Sequence, residues 1–251
     1  MSYHRVSPPS ELPPLLSDER MGTYHRLAPE WGCDPFELYL LGIELASSYM
    51  ADLHIVEIAM RNAMHDRLAR KYGSDWWANA ELLDDRSQTA VAKAHADARY
   101  GDGHRPGRLL AQLPLGFWVH LLEVGGHAGK PPYRERRAYE ALLWRPALRH
   151  AFPSSTQRRA DVHAVAARVY ALRNRVAHHE PVVTGVRLPG VPHNAPGAYR
   201  SPHDLHNDII ALLRMISTPV GDWVAHHSRT PALLNLGEAS ASHCPAGADH
   251  H

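Results

Sequence analysis

Apolar positions along this chain recur mostly at intervals of three and four, the period of a helix, and no convincing alternation at two appears. The clearest case lies within Thr156–Ala177. Val162, Val165, Val169, Leu172 and Val176 are spaced 3, 4, 3 and 4 residues apart and form a core-facing stripe. Asp34-Pro35 reads as an N-cap with proline at the first helical position. It opens a helical stretch from about Pro35 to Gly73, with a candidate break near Ser47-Ser48 and a glycine stop. Asp84–Tyr100 reads as an exposed, alanine-rich polar helix closed by GDGHRPG, and Arg108–Glu123 as a helix containing the apolar LPLGFWVHLL. GGHAGKPP is a loop, Tyr133–His150 is helical with a kink expected at Pro146, and 181–202 is a Pro/Gly-rich loop. Pro202–His226 forms a last helical region, interrupted near Pro219-Val220-Gly221. The pattern predicts an all-α fold: a helical domain over 21–227, after a Pro-rich segment at 1–20 and before a small, polar tail from Ser228 expected to be disordered. No internal repeat stands out beyond an echo of the pair Arg-Asn.

Composition narrows the class. The 251 residues, 44% of them hydrophobic, suffice for one well-buried domain. No apolar run approaches the roughly 20 residues that span a membrane. The opening MSYHRVSPPSELPPLL lacks the apolar core of a secretory signal. Cys33 and Cys244 lie far apart, so a disulfide framework is not expected, and a reducing cytoplasm fits. The net charge of +1 conceals an asymmetry. Residues 134–175 hold ten arginines, no lysine and three acids (Glu135, Glu140, Asp161), a net of +7, whereas the rest holds 17 basic and 23 acidic residues, a net of −6. Guanidinium groups bind phosphate through paired hydrogen bonds, so a local all-arginine excess suits a phosphate-bearing partner. The plain alternative is a solvated face in a chain that writes its cations as arginine.

That excess adjoins the stretch LRNRVAHHEP, residues 172–181. At about 100° per residue, Asn174 lies nearly opposite the apolar stripe and His178 projects beside it, while Arg173 sits on the flank. None of the three is needed for a core. Pro181 disfavours helical geometry at Glu180, so the helix should end near His178 or His179. A histidine there lies at the negative end of the helix dipole, which favours a cation, and imidazole is the side chain suited to acid–base work near neutral pH. Upstream, Glu57, Arg61 and His65 form one row on a helix whose other sides are apolar, with Asn62 beside them. An intrahelical ion pair plus an Asn62 cap to a neighbouring loop, or a supporting layer that orients Arg173 or His178, both fit that row.

Taken together, LRNRVAHHEP resembles the Arg-x4–6-His motif of HEPN ribonucleases in the form found in Abi-like (abortive infection) bacterial proteins. HIVEIAMRNAMHDRL resembles that family's N-terminal helix, and LPLGFWVHLL, Trp144-Arg145-Pro146 and ISTPVGDWV match its landmarks in order, over roughly residues 20–226. The resemblance implies a HEPN-type helical bundle with additional N- and C-terminal helices. It implies a homodimer with the active site at the shared interface, and RNA cleavage without a metal or other cofactor. The substrate's 2′-hydroxyl would attack the adjacent phosphate, leaving a 2′,3′-cyclic phosphate and a 5′-hydroxyl. Carried over by position, Arg173 would stabilise the phosphorane charge and His178 would act as general acid or base. Asn174, His179, Glu57, Arg61 and Asn62 would support them, and Arg158, Arg159, Arg168 and Arg175 would contact RNA. Members act as toxins or antiphage effectors, some paired with an antitoxin protein or small RNA. MRNAMH departs from the pattern, with only three residues between Arg61 and His65, and so serves as support rather than a second active site.

Competing classes leave weaker traces. His178-His179-Glu180 invites a metal, but no HExxH or CxxC pair exists and consecutive residues point in different directions. A P-loop fails, because GGHAGKPP has Val124 where the first glycine belongs and Pro131 after Lys130 in place of Ser/Thr. No GxSxG elbow occurs. A non-catalytic HEPN-like RNA-binding or sensing module would use the same arginines and stays open. The 181–202 loop, directly after His178, is a candidate gate or partner contact.

Overall fold

The computed structural model describes residues 9–98, 106–155, 158–188, 190–192 and 194–242. It is all-α apart from two two-stranded antiparallel ribbons. In chain order the helices are α1 (Leu12–Leu15), α2 (Asp18–Trp31), α3 (Pro35–Tyr72), α4 (Asp85–Ala98), α5 (Pro106–Gln112), α6 (Leu115–His120), α7 (Arg159–Ala177), α8 (Pro202–Ile216), α9 (Thr218–His227) and α10 (Thr230–Ser242). Strands β1 (His127–Ala128) and β2 (Glu135–Arg136) form one ribbon, β3 (Val186–Arg187) and β4 (Tyr199–Arg200) the other. No helix is long and apolar enough to cross a membrane among the described residues.

The chain divides into two compact units. The first takes Met1–Asp52, Ala171–Asn207 and His227–His251, the second Leu53–Tyr170 and Asp208–His226. In the first, α2 starts on a Ser17 cap whose hydroxyl accepts the Arg20 N–H at 3.2 Å, and stops at left-handed Gly32. Its buried positions, Met21, Tyr24 and Ala28, follow helical spacing. The Tyr24 ring lies so close to Gly42 of α3 that a Cβ there would meet its hydroxyl at 2.9 Å. The carboxylate of Asp34 caps α3, accepting the Phe36 N–H at 2.8 Å. Asp52, 5% exposed, accepts from the hydroxyls of Ser228 at 2.7 Å and Thr230 at 3.0 Å.

In the second unit an aromatic cluster fills the centre. Trp76 packs against Trp77, Trp118 and Phe117 with ring centroids 5.7–6.4 Å apart. Its indole N–H donates to Nδ1 of His65 at 3.2 Å, and burial holds the His65 ring below its ordinary pKa. His65 thus serves as a hydrogen-bond acceptor for the core.

Several expectations change. No break occurs at Ser47-Ser48. The Ser47 hydroxyl donates to the Ile43 carbonyl one turn back, at 2.9 Å, a local bond compatible with the helix. Arg108–Glu123 is not one helix, because Pro114 takes extended geometry (φ −71°, ψ 161°) and separates α5 from α6. Tyr133–His150 is not regularly helical. It begins in the β1–β2 ribbon, continues through a π-helical turn at Glu140–Trp144 and ends in a 3-10 turn at Leu148–Ala151. The interruption in the last helical region falls at Ser217, and Pro219 sits in the first turn of α9, where proline is tolerated. The tail expected to be disordered from Ser228 is helical over Thr230–Ser242. Fully buried Thr230 ties it to Asp52, and Leu233 and Leu234 are buried. Tyr100, the GDGHR of the closing loop and Thr156, expected in or beside helices, lie outside the described residues.

Glycine is required at Gly125, where φ is +81° and a Cβ would sit 1.9 Å from the Arg137 carbonyl oxygen. Gly22, in α2, has nothing within 4 Å of the same position. Gly125→Ala should lower unfolding free energy by about 2–4 kcal/mol. Gly22→Ala should raise it by about 0.5–1 kcal/mol. Denaturant titration of the two variants checks both signs.

Candidate functional site

The predicted stripe of α7 is buried throughout: Val162, Val169 and Leu172 are fully enclosed, Val176 and Val165 nearly so. Each such side chain contributes about 1.5–3 kcal/mol, and this fixes which residues of the same helix remain outside. Arg173 and Asn174 are half-buried, and His178, His179 and Glu180 are exposed.

The end of α7 is set by backbone hydrogen bonds. The His178 N–H still reaches the Asn174 carbonyl at 3.0 Å, in helical register. The His179 N–H then folds back to Val176 O at 3.1 Å and the Glu180 N–H to Arg175 O at 3.0 Å. This 5→2 and 6→1 pair is a Schellman turn, whose left-handed position is usually glycine. Here it is His179, at φ +55°, the sole non-glycine residue with positive φ among the described residues. A side chain in that conformation costs on the order of 1–2 kcal/mol. The turn is pinned from two sides. The Arg175 Nε donates to Pro181 O at 2.6 Å while its Nη1 lies 3.3 Å from Glu180 Oε2. From α2, the Arg20 guanidinium donates to the His179 carbonyl.

A groove of about 630 Å³ opens beside this turn, within the first unit. His179 and Glu180 line it from the turn, Arg20 and Tyr24 from α2, Tyr39 and Ser47 from α3. Burial pushes the Tyr24 phenol up to about 12, so it stays a neutral donor. Of the two motif histidines, His179 faces the groove, and His178 is exposed without lining it. Arg20 and Tyr39 carry no motif in the sequence, and only the folding of α2 onto α3 brings them here.

The candidate RNA-binding arginines have structural employment. Arg158 pairs with Asp161 at 2.8 Å on the surface. Arg159, 13% exposed, bridges Glu140 Oε2 at 3.0 Å and the Leu122 carbonyl at 2.5 Å. Arg168 forms a two-pronged pair with Asp208, at 2.8 and 2.7 Å, and Asp208 is 4% exposed. Arg175 holds the turn. Glu57, Arg61 and Asn62 lie on α3 in the second unit. The Arg61 Nε is 3.4 Å from the Asn62 side-chain oxygen, so the expected Asn62 cap to a neighbouring loop is replaced by a contact on its own helix.

One buried polar cluster had no sequence signature. In the second unit, His120, 6% exposed, lies between Asp84 Oδ2 at 2.9 Å from Nε2 and Glu123 Oε2 at 3.0 Å from Nδ1. Burial opposes charge on the ring, but the hydrogen bonds to Glu123 and Asp84 outweigh it, and the His120 pKa is raised. Burial likewise opposes ionisation of Asp84, but the Ser87 backbone N–H and the His120 ring hold its pKa below the usual value. Asp84 also caps α4 through that N–H, and the Tyr139 hydroxyl accepts the Asp84 N–H at 3.1 Å. Among the described residues, no three His, Cys, Asp or Glu side chains are grouped so as to hold a metal ion. No protein-family model, curated protein or solved structure matches the chain.

His179→Gly should raise stability by about 0.5–1 kcal/mol by removing the left-handed side chain, and His179→Val should lower it, as thermal unfolding will read. The Asp84–His120 pair contributes fully above the ordinary Asp value of 3.8 and below the ordinary His value of 6.5. Its contribution fades as acid protonates Asp84 or as rising pH passes the raised His120 pKa. The stability loss in His120→Gln should therefore peak between about pH 4 and 6.5. A loss that keeps growing into alkaline pH would contradict the assignment.

Proposed function

We propose that this chain is a metal-independent endoribonuclease of the HEPN type, acting in abortive infection, antiphage defence or as the toxin of a toxin–antitoxin pair. The observation that carries the reading is the end of α7. A strained, doubly pinned turn presents two consecutive histidines just past the helix terminus, with Arg173 and Asn174 one turn back. Strain of this kind persists where surrounding structure enforces it, and it concentrates at functional sites.

In this reading RNA lies with its scissile phosphate at the helix end. The 2′-oxygen attacks phosphorus and loses its proton. The 5′-oxygen departs and gains one, leaving a 2′,3′-cyclic phosphate. His178 transfers a proton in one of these steps. Arg173 offers a fixed cation to the non-bridging oxygens as negative charge grows on them. Asn174 and the Schellman turn hold the pair in register. Two copies would place two such turns at a shared cleft, and an antitoxin protein or small RNA would cover it.

Purified protein and its variants, assayed on single-stranded RNA in EDTA, test the proposal. His178→Ala should cut the rate by about 10²–10⁴. Arg173→Lys should also be impaired, since a point charge does not replace the guanidinium fork. A loss in His179→Ala with His178→Ala unaffected would move the acid–base role to the groove-facing histidine. Cleavage that vanishes in EDTA would contradict the metal-independent mechanism. RNA binding with no cleavage by any form would favour a non-catalytic binding module.

A further inference from the structure

The loop GGHAGKPP, which fails as a phosphate-binding motif, belongs to a surface feature with its own chemistry. Residues 127–136 form the β1–β2 ribbon and its tip, all within the second unit. Lys130, Arg134 and Arg136 are exposed, and Tyr133 is 85% exposed. The one acid of the tip, Glu135, is neutralised by Arg137, whose Nη1 lies 2.7 Å from its Oε2. No side-chain hydrogen bond or ion pair among the described residues ties down Lys130, Arg134 or Arg136. His127 and Arg136 are cross-strand partners and share a face, and Arg134 directly precedes the strand.

The base of the ribbon is firmly held. The Gly129 N–H donates to Asp85 Oδ1 at 3.0 Å, the Arg137 N–H to Gly126 O at 2.8 Å, and Gly125 permits a close crossing. At the tip the Tyr133 N–H closes on Lys130 O at 2.9 Å, and Pro131 and Pro132 each fix a φ angle. Little backbone ordering is left to be done on binding.

We propose that this ribbon is a finger that grips single-stranded RNA: Tyr133 stacks on an unpaired base while Lys130, Arg134 and Arg136 contact flanking phosphates. An exposed ring finds a π-face only on a base that is not stacked in a duplex. Three cations are too few for an anionic lipid surface, which takes clusters of four to eight. The choice of RNA over DNA rests on the nuclease reading; the grip on a single strand does not.

The test is fluorescence anisotropy in EDTA with the full chain and a 2′-O-methyl RNA 12-mer, which lacks the attacking hydroxyl and so reports binding alone. DNA and duplex RNA of the same sequence are the other arms. Tyr133→Ala should weaken 12-mer binding about five- to hundredfold, and Tyr133→Phe should not. Replacing Lys130, Arg134 and Arg136 together with alanine should flatten the slope of log affinity against log salt by about 2. Unchanged affinity and slope in these variants would overturn the finger. Equal losses on duplex RNA would reduce it to a general polyanion patch, and tighter, Tyr133-dependent binding of DNA would overturn the RNA assignment. The two proposals fail separately. His178-dependent cleavage with normal binding by the finger variants removes the finger alone. Tyr133-dependent binding without cleavage by any form removes the nuclease alone.

Discussion

The N–H groups of His179 and Glu180 return to the carbonyls of Val176 and Arg175, and this reversal decides what the end of α7 presents. Upstream, five buried side chains fix the rotation of the helix. Downstream, the left-handed step at His179 throws the chain out of helical register before Pro181 forbids its return. Between these constraints the order of side chains is determined: Arg173 and Asn174 half-buried on the last full turn, His178 in register above Asn174, His179 turned to the groove. Glycine would satisfy the turn with less strain. The histidine there, held by Arg175 from within and by Arg20 from α2, is the one non-glycine residue with positive φ among the described residues.

Arginine serves two purposes that net charge does not separate. Arg159 and Arg168 meet carboxylates in partly buried settings, where breaking one partner strands the other. They join segments remote in sequence, Glu140 to α7 and α7 to α8. Arg134 and Arg136, from the same basic region, stand exposed on the ribbon. The net of +7 over residues 134–175 is therefore partly architecture and partly accessible charge.

Much of the fold was legible in the sequence, for physical reasons that can be named. The 3-4-3-4 stripe, the Asp34-Pro35 start and the Gly73 stop are local signals, and the structure follows each. The departures have local and non-local causes. The tail at Thr230 is helical because Thr230 reaches Asp52, 178 residues away in sequence. Ser47-Ser48 stays helical, whereas Pro114 ends a helix that the apolar pattern alone would continue. Of the candidate site, the position of the helix end was readable from Pro181, but the inversion at His179 was not. The groove residues Arg20 and Tyr39, and the pairing of Asp84 with His120, carry no periodic or motif signal, because packing between distant segments assembles them.

The central claim is that the RNA's own 2′-hydroxyl is the nucleophile, served by the end of α7. The most direct measurement compares, in EDTA, an RNA oligonucleotide with the same oligonucleotide carrying a single 2′-deoxy nucleotide at the mapped cleavage position, with product ends identified by mass spectrometry. The account predicts that the all-RNA strand yields a 2′,3′-cyclic phosphate and a 5′-hydroxyl, and that the deoxy substitution abolishes the cut at that position. Cleavage of the deoxy strand at the same position, or products ending in a 5′-phosphate, would mean that water attacks the phosphorus and would contradict it.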